Sequence, residues 1–422
     1  MIITGAVVLL ALYLIVTVLI FNANPVNIRV TTPIHSEYSV IDPEFKVESG
    51  IFSGSQWVYG NDIRVLTQGE EVFGTMQDDI ALAEKSITKE TYVFFGSNVA
   101  TPMAQALADA SERGVYTHFI ADFIGSGDAT SEQFDTMENA GVEVIRWRKP
   151  SWYQLSRLNH RTHRKLLVVD GKVGYTGGYN TADPWVSGPE QSQYKDYHFR
   201  ITGPIVNHMQ GMFSQNRVLA SGGLLTGSRY YPVPDTTGTL AMQATSSNPM
   251  EGKMNVRKML IYAIASADES IRMGTPYFFP DDGFLEALVD AANRNVNIQI
   301  LTPGEETDKD YVRAASYTLW GDLLAAGIEM YEYQPVFYHA KMMIIDDYYV
   351  SIGSTNFDNR SFRINDEANI NILDGEFGRE MAAYFDDDLD KSVQITLEEW
   401  ENRSTWQKAY GWFIAKVLGT YL

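Results

Sequence analysis

Cysteine is absent from the 422-residue chain, and basic residues are scarce beside acidic ones. Without a thiol the chain can form no disulfide framework, no cysteine nucleophile and no cysteine-ligated zinc or iron–sulfur centre. Lysine and arginine total 33 against 53 aspartates and glutamates, so the net charge is −20. Such a surface repels bulk nucleic acid, which argues against a protein that coats DNA or RNA; no nucleic-acid partner is expected.

An apolar run covers residues 2–21 and is interrupted only by two threonines and one glycine. At about 1.5 Å per residue a helix of this length spans roughly 30 Å of hydrocarbon. We therefore predict one transmembrane helix over residues 1–21. A cleaved signal is the alternative, but no basic residue precedes the run and residues 22–25 make a poor cleavage site. Prolines and the lack of periodicity over 22–60 predict a tether.

An internal repeat organises the rest of the chain. Short β-branched or aromatic runs alternate with helical stretches in the same order twice, with the second copy about 176–186 residues after the first. The pattern predicts an α/β protein built from two similar domains, over residues 61–235 and 236–400. Residues 401–422 carry aromatic residues at helical spacing and predict a C-terminal amphipathic helix, which either lies at a membrane interface or covers the core.

The matched runs that define the repeat are Thr91–Phe95 with Thr275–Phe279, the helical stretches Met103–Arg113 and Phe284–Arg294, and the strands Val115–Ile120 and Val296–Leu301.

One pair of matched segments contains residues that could act in catalysis. In both halves a histidine is followed by lysine two residues on, aspartate seven, glycine fourteen and asparagine seventeen residues on. The first copy comprises His163, Lys165, Asp170, Gly177 and Asn180; the second comprises His339, Lys341, Asp346, Gly353 and Asn356. A single His-x-Lys is usually a core histidine beside a surface charge. Two copies with the same spacing predict a functional site.

Strand geometry explains why these residue types belong together. Residues two apart on a strand share a face, so each histidine projects beside its lysine, while the four apolar residues that follow predict a buried strand. The glycines allow the chain to pass close to a bound group, and the asparagine amides can donate to an anion. A base, a cation and an amide donor, present twice, predict a site for phosphoryl chemistry.

The twin His-x-Lys-x4-Asp-x6-Gly pattern resembles the signature of the phospholipase D superfamily, and the segments Thr275–Pro280, Tyr331–Pro335 and Gly353–Phe362 resemble bacterial cardiolipin synthases. The resemblance extends over about residues 60–400 and implies two α-β-α sandwich domains. Two departures are present. Those synthases commonly carry two amino-terminal membrane helices, and Tyr194-Lys195-Asp196 stands where they have Trp-Arg-Asp or Trp-His-Asp.

The resemblance also implies residue roles. One histidine forms a phosphohistidine and the other protonates the leaving alcohol; the superfamily's usual order makes His163 the nucleophile and His339 the acid. The non-bridging oxygens would be bound by Lys165, Lys341, Asn180, Ser354 and Asn356. Glu367 would orient His339, and Asp196 would orient His163. Asp170 and Asp346 complete the catalytic signatures, although their place at the far strand ends suggests a structural role.

The expected activity is that of a membrane-anchored phosphatidyltransferase that joins two phosphatidylglycerol molecules into cardiolipin and releases glycerol. The alternatives are a hydrolytic phospholipase D or another phospholipid headgroup exchanger with the same catalytic set, a nuclease of this superfamily, and a non-catalytic lipid binder. No metal, cofactor or obligatory protein partner is expected, and resemblance implies the bacterial inner membrane. Seven basic residues in a stretch without acids would attract the phosphate: Arg146, Arg148, Lys149, Arg157, Arg161, Arg164 and Lys165.

Overall fold

The computed structural model describes residues 10, 12–14, 34, 36–150, 159–186 and 193–422. The predicted transmembrane helix over 1–21 and the first part of the predicted tether lie almost entirely outside this set. Within the described part of the chain, no helix combines the length and the apolar character that a bilayer crossing requires.

In the described residues of the first half, ten strands and four α-helices follow one another in α/β order. The strands are β1 (Val58–Leu66), β2 (Ser86–Thr91), β3 (Phe94–Phe95), β4 (Tyr116–Asp122), β5 (Glu143–Trp147), β6 (Leu166–Val169), β7 (Val173–Gly177), β8 (Thr181–Ala182), β9 (Tyr194–Lys195) and β10 (His198–Thr202). The helices, which follow an earlier helix α1 (Pro43–Ser53), are α2 (Gly69–Ala81), α3 (Thr101–Glu112), α4 (Ser131–Asn139) and α5 (Ile205–Ser221).

The second half repeats this order. Its strands are β11 (Leu240–Ser247), β12 (Ser270–Gly274), β13 (Phe278–Phe279), β14 (Asn297–Pro303), β15 (Glu329–Tyr333), β16 (Phe337–Tyr338), β17 (Met342–Ile345), β18 (Tyr349–Gly353), β19 (Phe357–Asp358), β20 (Glu367–Leu373) and β21 (Ser392–Ile395). Its helices are α6 (Asn255–Ala265), α7 (Asp282–Asn293), α8 (Asp310–Ser316), α9 (Trp320–Ala325), α10 (Asn359–Arg363), α11 (Gly375–Leu389), α12 (Leu397–Glu401) and α13 (Thr405–Leu418).

The two halves share one fifteen-stranded sheet, in the order β21-β15-β14-β12-β17-β18-β20-β11-β1-β10-β7-β6-β2-β4-β5. Antiparallel pairing of β1 with β11 joins the halves at its centre. Reading outward from that pair, β10, β7, β6, β2, β4 and β5 correspond in order to β20, β18, β17, β12, β14 and β15. This correspondence confirms the internal duplication. The pairing of β1 with β11 joins the sheets of the two predicted sandwiches into a single sheet.

The strand that follows each histidine is buried on both faces, as its apolar run predicts. Leu167 and Val169 of β6 pack in a core made by the first half alone. Leu166 and Val168 face a second core that also contains Met342 of β17, together with residues of α5 and α11. Since this shared core is made by both halves, it fixes the first histidine strand relative to the second.

Two segments differ from the predictions. Residues 43–53 of the predicted tether form helix α1, in which Phe45 is fully buried and stacks on Tyr262 of the second half, with ring centroids 5.1 Å apart. The predicted strand over Thr91–Phe95 instead ends at Thr91, with only Phe94–Phe95 extended beyond it. Strand β2 has the sequence SITKET and is buried throughout. Because most of its residues are polar, an apolar pattern does not predict it.

Candidate active site

Each histidine of the twin motif is brought to the site by backbone pairing with the other half. His163 N donates to Asp366 O at 2.9 Å, beside a parallel bridge between Thr162 and Asp366. In the second half, β16 runs parallel to β9, and His339 N donates to Lys195 O at 2.7 Å. The carboxylate that follows each of these acceptors is therefore placed next to a histidine from the opposite half.

The histidines and carboxylates are consequently paired across the two halves. Nδ1 of His163 lies 2.9 Å and 3.1 Å from the two carboxylate oxygens of Glu367. Nδ1 of His339 lies 2.6 Å from Oδ2 of Asp196. The pairing expected from resemblance, Glu367 with His339 and Asp196 with His163, is wrong. The physical reason is the parallel backbone pairing, which sets each histidine beside the segment that ends in the other half's carboxylate.

Both carboxylates are held by further hydrogen bonds. Asp196 accepts from Trp185 Nε1 at 2.9 Å and from its neighbour Tyr197 N at 2.8 Å. Glu367 accepts from Ser354 Oγ at 2.5 Å. Burial raises the pKa of Asp196 to about 6 and that of Glu367 to about 7. These contacts fix the carboxylates, and a fixed carboxylate holds an imidazole in one orientation and one tautomer.

Ser354 therefore has a different role from the predicted one. Its hydroxyl is fully buried, donates to Glu367 and accepts from Ala368 N at 3.0 Å. It positions Glu367 and does not serve as a phosphate ligand. Trp185 in the first half holds Asp196 in the same way but was not predicted, because no spacing rule links Asp183-Pro184-Trp185 to the motif.

The two lysines lie against their own histidines. Lys165 Nζ donates to His163 O at 2.7 Å, and Lys341 Nζ donates to His339 O at 2.6 Å. Lys341 Nζ also lies 3.2 Å from Nε2 of His339. Burial lowers the pKa of Lys341 to about 8, and burial together with Lys341 lowers that of Lys165. A bound anion would offset this burial of two positive charges.

Burial and the same two ammonium groups lower the pKa of both imidazoles well below the ordinary histidine value. The charge of Lys341 lowers the pKa of His163, and the charge of Lys165 lowers the pKa of His339. The lysine of each half therefore affects the imidazole of the other half. Burial and the two ammonium groups therefore favour the neutral form of both rings. With Nδ1 committed to a carboxylate, Nε2 is the nitrogen left for reaction.

The asparagines and glycines of the motif occupy distinct places. Asn180 Oδ1 accepts from Val93 N at 3.1 Å, which leaves its amide group as the donor for an anion. Asn356 lines the cavity that contains His163. The motif glycines are predicted to let the chain pass close to a ligand. Gly178, which follows Gly177, instead makes room for the orienting carboxylate, since a Cβ there would lie 2.1 Å from Oδ1 of Asp196.

The motif aspartates bind backbone at the far ends of their strands. Asp170 accepts from the amides of Glu84, Lys85 and Ser86 at 2.7–2.9 Å. Asp346 accepts from the corresponding amides of 268–270 at 2.8–2.9 Å. Both have positive φ, 54° and 52°. Their contacts are structural, and we do not place them among the reacting groups.

We expect Asp170→Ala to lower the free energy of unfolding by about 2–3 kcal/mol, because three amide donors lose a charged acceptor and alanine disfavours positive φ. Urea unfolding followed by tryptophan fluorescence measures this change. Asp170→Asn, which tolerates the left-handed backbone, should lose less. Activity per folded molecule should stay within a few fold of the wild-type value; an Asp170→Ala chain of full stability without activity would contradict the structural role.

The basic stretch before the first motif is only partly available to a ligand. Arg164 is fully buried and donates to the backbone oxygens of Met212, Ser247 and Glu367 at 2.6–3.2 Å. The guanidinium of Arg146 lies 3.9 Å from the ring centroid of Phe134. Arg164 therefore joins the two halves, and the prediction that the whole stretch attracts phosphate is wrong for this residue.

The comparisons with known proteins agree with this architecture. The family model described as "Cardiolipin synthase, PLD-like domain" matches residues 76–214 and 260–389. Cardiolipin synthase 2 of Staphylococcus epidermidis strain ATCC 35984 is 33% identical over 349 residues, which cover 82% of this chain and 71% of that protein. The minor cardiolipin synthase ClsB of Bacillus subtilis strain 168 is 30% identical over 365 residues, 86% of this chain and 89% of that protein.

A solved structure supports the fold alone. The crystal structure of phosphatidylserine synthase from Haemophilus influenzae Rd KW20 superposes with a TM-score of 0.70 at 12% identity, and covers 90% of this chain and 100% of that one.

Proposed function

The chain belongs to the PLD-like cardiolipin synthase family of the phospholipase D superfamily, and from this premise we propose that it joins two phosphatidylglycerol molecules into cardiolipin and releases glycerol. The observation that carries the proposal is the pair of buried imidazoles, each hydrogen-bonded through Nδ1 to a carboxylate of the other half. The chain supplies both, so no second chain is required for the chemistry.

The first step forms a covalent bond between one imidazole and phosphorus. Nε2 of His163 attacks the phosphodiester of phosphatidylglycerol, the bond from phosphorus to the glycerol oxygen breaks, and His339 protonates that oxygen. Following the superfamily's order, His163 is the nucleophile. The bound phosphodiester contributes one negative charge, which offsets a lysine and favours the protonated form of His339 that this step needs.

The second step reverses the roles of acid and base. His339, now neutral, accepts the proton of a glycerol hydroxyl on a second phosphatidylglycerol. The hydroxyl oxygen bonds to phosphorus, the bond to His163 breaks, and cardiolipin leaves. Lys165, Lys341, Asn180 and Asn356 donate to the non-bridging oxygens, where negative charge grows in each transition state. A phosphate oxygen would replace His339 Nε2 as the contact of the Lys341 ammonium.

An assay with phosphatidylglycerol liposomes tests the proposed function. We expect the purified full-length protein to produce one glycerol for each cardiolipin, measured by enzymatic glycerol detection and by chromatography of the extracted lipids. Phosphatidic acid as the main lipid product would instead assign a hydrolytic phospholipase D. Absence of turnover, with lipid binding retained, would contradict an enzymatic role.

We further propose that the protein is membrane-bound, through the predicted helix over 1–21 and through an interfacial face on α13. One side of α13 packs on the core, where Ile414 is buried with Val312 and Ala315. The opposite side leaves large apolar residues exposed: Trp406, Tyr410, Trp412, Phe413 and Val417. Aromatic rings of this kind settle at the headgroup level of a bilayer. Tyr421 and Leu422, which follow α13, line the cavity at His163, so the C-terminal end of this helix lies near the site.

The absence of cysteine allows a direct test of this face. Phe413→Cys labelled with an environment-sensitive fluorophore should become brighter and shift to the blue on phosphatidylglycerol liposomes, and nitroxide-labelled lipids should quench it. Val233→Cys, which replaces a side chain 90% exposed outside α13, is the matched control and should not respond. Equal responses at both positions, or none at 413, would contradict the interfacial placement.

A further inference from the structure

The cavity at His163 is lined by two cationic side chains that lie outside the twin signatures, Lys309 and Arg360. Its volume is about 160 Å³. A cavity of this size, lined mainly by polar and charged side chains, suits a polar headgroup. Besides His163 and Asn356 it is lined by Lys309, Arg360 and Asn365, which lie outside the twin signatures.

Lys309 and Arg360 both come from the second half, and neither forms an ion pair with a residue that the structure describes. Lys309 Nζ lies 4.7 Å from the ring centroid of Tyr277, whose hydroxyl donates to Asp308. Arg360 donates through Nη1 and Nη2 to the side-chain and backbone oxygens of Asn159, at 3.0 Å and 2.9 Å. Both acceptors are uncharged, so the guanidinium charge is not neutralised by them.

The charges of Lys309 and Arg360 influence the pKa values of the two histidines. Lys309 and Arg360 both lower the pKa of His163, and Lys309 also lowers that of His339. Asp358 also lines the cavity; it caps α10 by accepting from Ser361 N at 2.7 Å, and burial raises its pKa to about 6. The terminal Leu422 lines the same cavity, and its backbone oxygen accepts from Arg360 N at 2.8 Å. Neither contact uses the side-chain charge of Lys309 or Arg360, which stays available to an anion.

Two buried amide oxygens in the cavity wall lack a partner within the described part of the chain. They are Oδ1 of Asn356 and Oδ1 of Asn365, and each of these residues is only 4% exposed. An amide oxygen can only accept a hydrogen bond, and a phosphodiester has none to donate. Because buried polar atoms are normally paired, a ligand that carries a hydroxyl group as well as negative charge would match this wall better than a phosphodiester alone.

We propose that this cavity is the phosphate subsite for the acceptor lipid, in which Lys309 and Arg360 bind the acceptor's own phosphate and Asn365 accepts from the glycerol hydroxyl that does not attack. The inference rests on the proposed function. The donor brings one phosphate, and this phosphate is bound by the motif lysines. A second phosphate beside a glycerol can come only from a second phosphatidylglycerol. Asn356 keeps its role at the reacting phosphate, to which its amide group donates.

The subsite explains how an acceptor lipid competes with water for the phosphohistidine. Binding of its phosphate holds the attacking hydroxyl beside phosphorus, and such positioning raises the effective concentration of that hydroxyl far above its concentration in solution. A free alcohol without a phosphate gains nothing from Lys309. A change at the subsite should therefore affect acceptor lipids but not free alcohols, whereas a change at the catalytic centre should affect both.

Lys309→Met, assayed in two reactions, tests the charged part of the subsite. The first reaction is cardiolipin formation from phosphatidylglycerol liposomes. The second is incorporation of isotopically labelled free glycerol into phosphatidylglycerol, which passes through the same phosphohistidine but uses an acceptor without phosphate. We expect the ratio of cardiolipin to labelled phosphatidylglycerol to fall about tenfold in Lys309→Met. Lys309→Arg should restore most of it, and Lys172→Met, at an exposed surface lysine, should leave the ratio at the wild-type value.

The outcomes separate the subsite from the function on which it rests. A wild-type protein that makes no cardiolipin overturns the proposed function and the acceptor subsite with it. A wild-type protein that makes cardiolipin, with a ratio unaffected by Lys309→Met, overturns the subsite alone. Proportional loss of both reactions assigns Lys309 to the common centre or to folding, and this too contradicts the proposal.

The hydroxyl part of the subsite has its own readout. In the exchange reaction, the wild-type protein should prefer labelled glycerol over 1,3-propanediol, which lacks the middle hydroxyl. Asn365→Ala should reduce that preference several fold, because its orphaned oxygen no longer selects for a hydroxyl donor. An unchanged preference would remove Asn365 from the subsite.

Discussion

Replacing His339 by asparagine is expected to leave a protein that attacks an activated phosphodiester once and then stops. With phosphatidyl-p-nitrophenol the leaving group needs no proton, so His163 can still form its covalent bond. The next step needs a base to deprotonate the acceptor, and that base is missing. Stopped-flow absorbance should show a burst of about one nitrophenolate per chain, followed by a steady rate at least ~10⁴ below that of the wild-type protein.

His163→Asn should show no burst at all with the same substrate, since no nucleophile remains. His208→Asn, on helix α5 and outside the site, is the matched control and should behave as the wild-type protein does. If the burst instead appears in His163→Asn and is lost in His339→Asn, the two histidines exchange roles. Peptide mapping of the trapped phosphatidyl group then identifies the nucleophile independently.

The cross-paired carboxylates predict that Glu367→Gln and Asp196→Asn affect different steps. Glu367 holds His163, so Glu367→Gln should suppress the burst rate by about 10³–10⁴, the scale seen when an imidazole loses its orienting carboxylate. Asp196 holds His339, so Asp196→Asn should keep a near-normal burst and slow the steady state. The same stopped-flow experiment measures both variants.

The opposite result has an equally clear meaning. Pairing within each half would make Asp196→Asn abolish the burst and Glu367→Gln spare it. Glu376→Gln, an exposed carboxyl at the start of α11, serves as the control for removal of a carboxylate from the same half. Thermal unfolding of each variant shows whether a loss of rate reflects a loss of fold.

The sequence predicts the repeated elements well because they depend on local patterns. The apolar run after each histidine becomes a strand buried on both faces, and helix α7 begins and ends within two residues of its predicted bounds. The joining of the halves depends on the pairing of β1 with β11, and such pairing leaves no periodic signal. The burial of Lys89 and Glu90 in β2 does not follow from the sequence, because lysine and glutamate usually lie on the protein surface.

The site shows the same division. The histidines and lysines follow from spacing alone. The partner of each histidine does not, because Glu367 lies 204 residues from His163 and Asp196 lies 143 residues from His339. The position of Ser354 beside Asn356 in the motif predicts a phosphate ligand, whereas its hydroxyl donates to Glu367 in the structure. Lys309 and Arg360 lie outside any motif, and only the folded chain brings them to one cavity.

The order in which the two cross-paired partners are synthesised has a consequence inside the cell. A ribosome makes His163 long before it makes Glu367, so a half-finished chain contains a histidine whose orienting group does not yet exist. The proposed reaction with phospholipid therefore requires synthesis to have passed residue 367. A prematurely terminated product that ends before this residue should form no phosphohistidine.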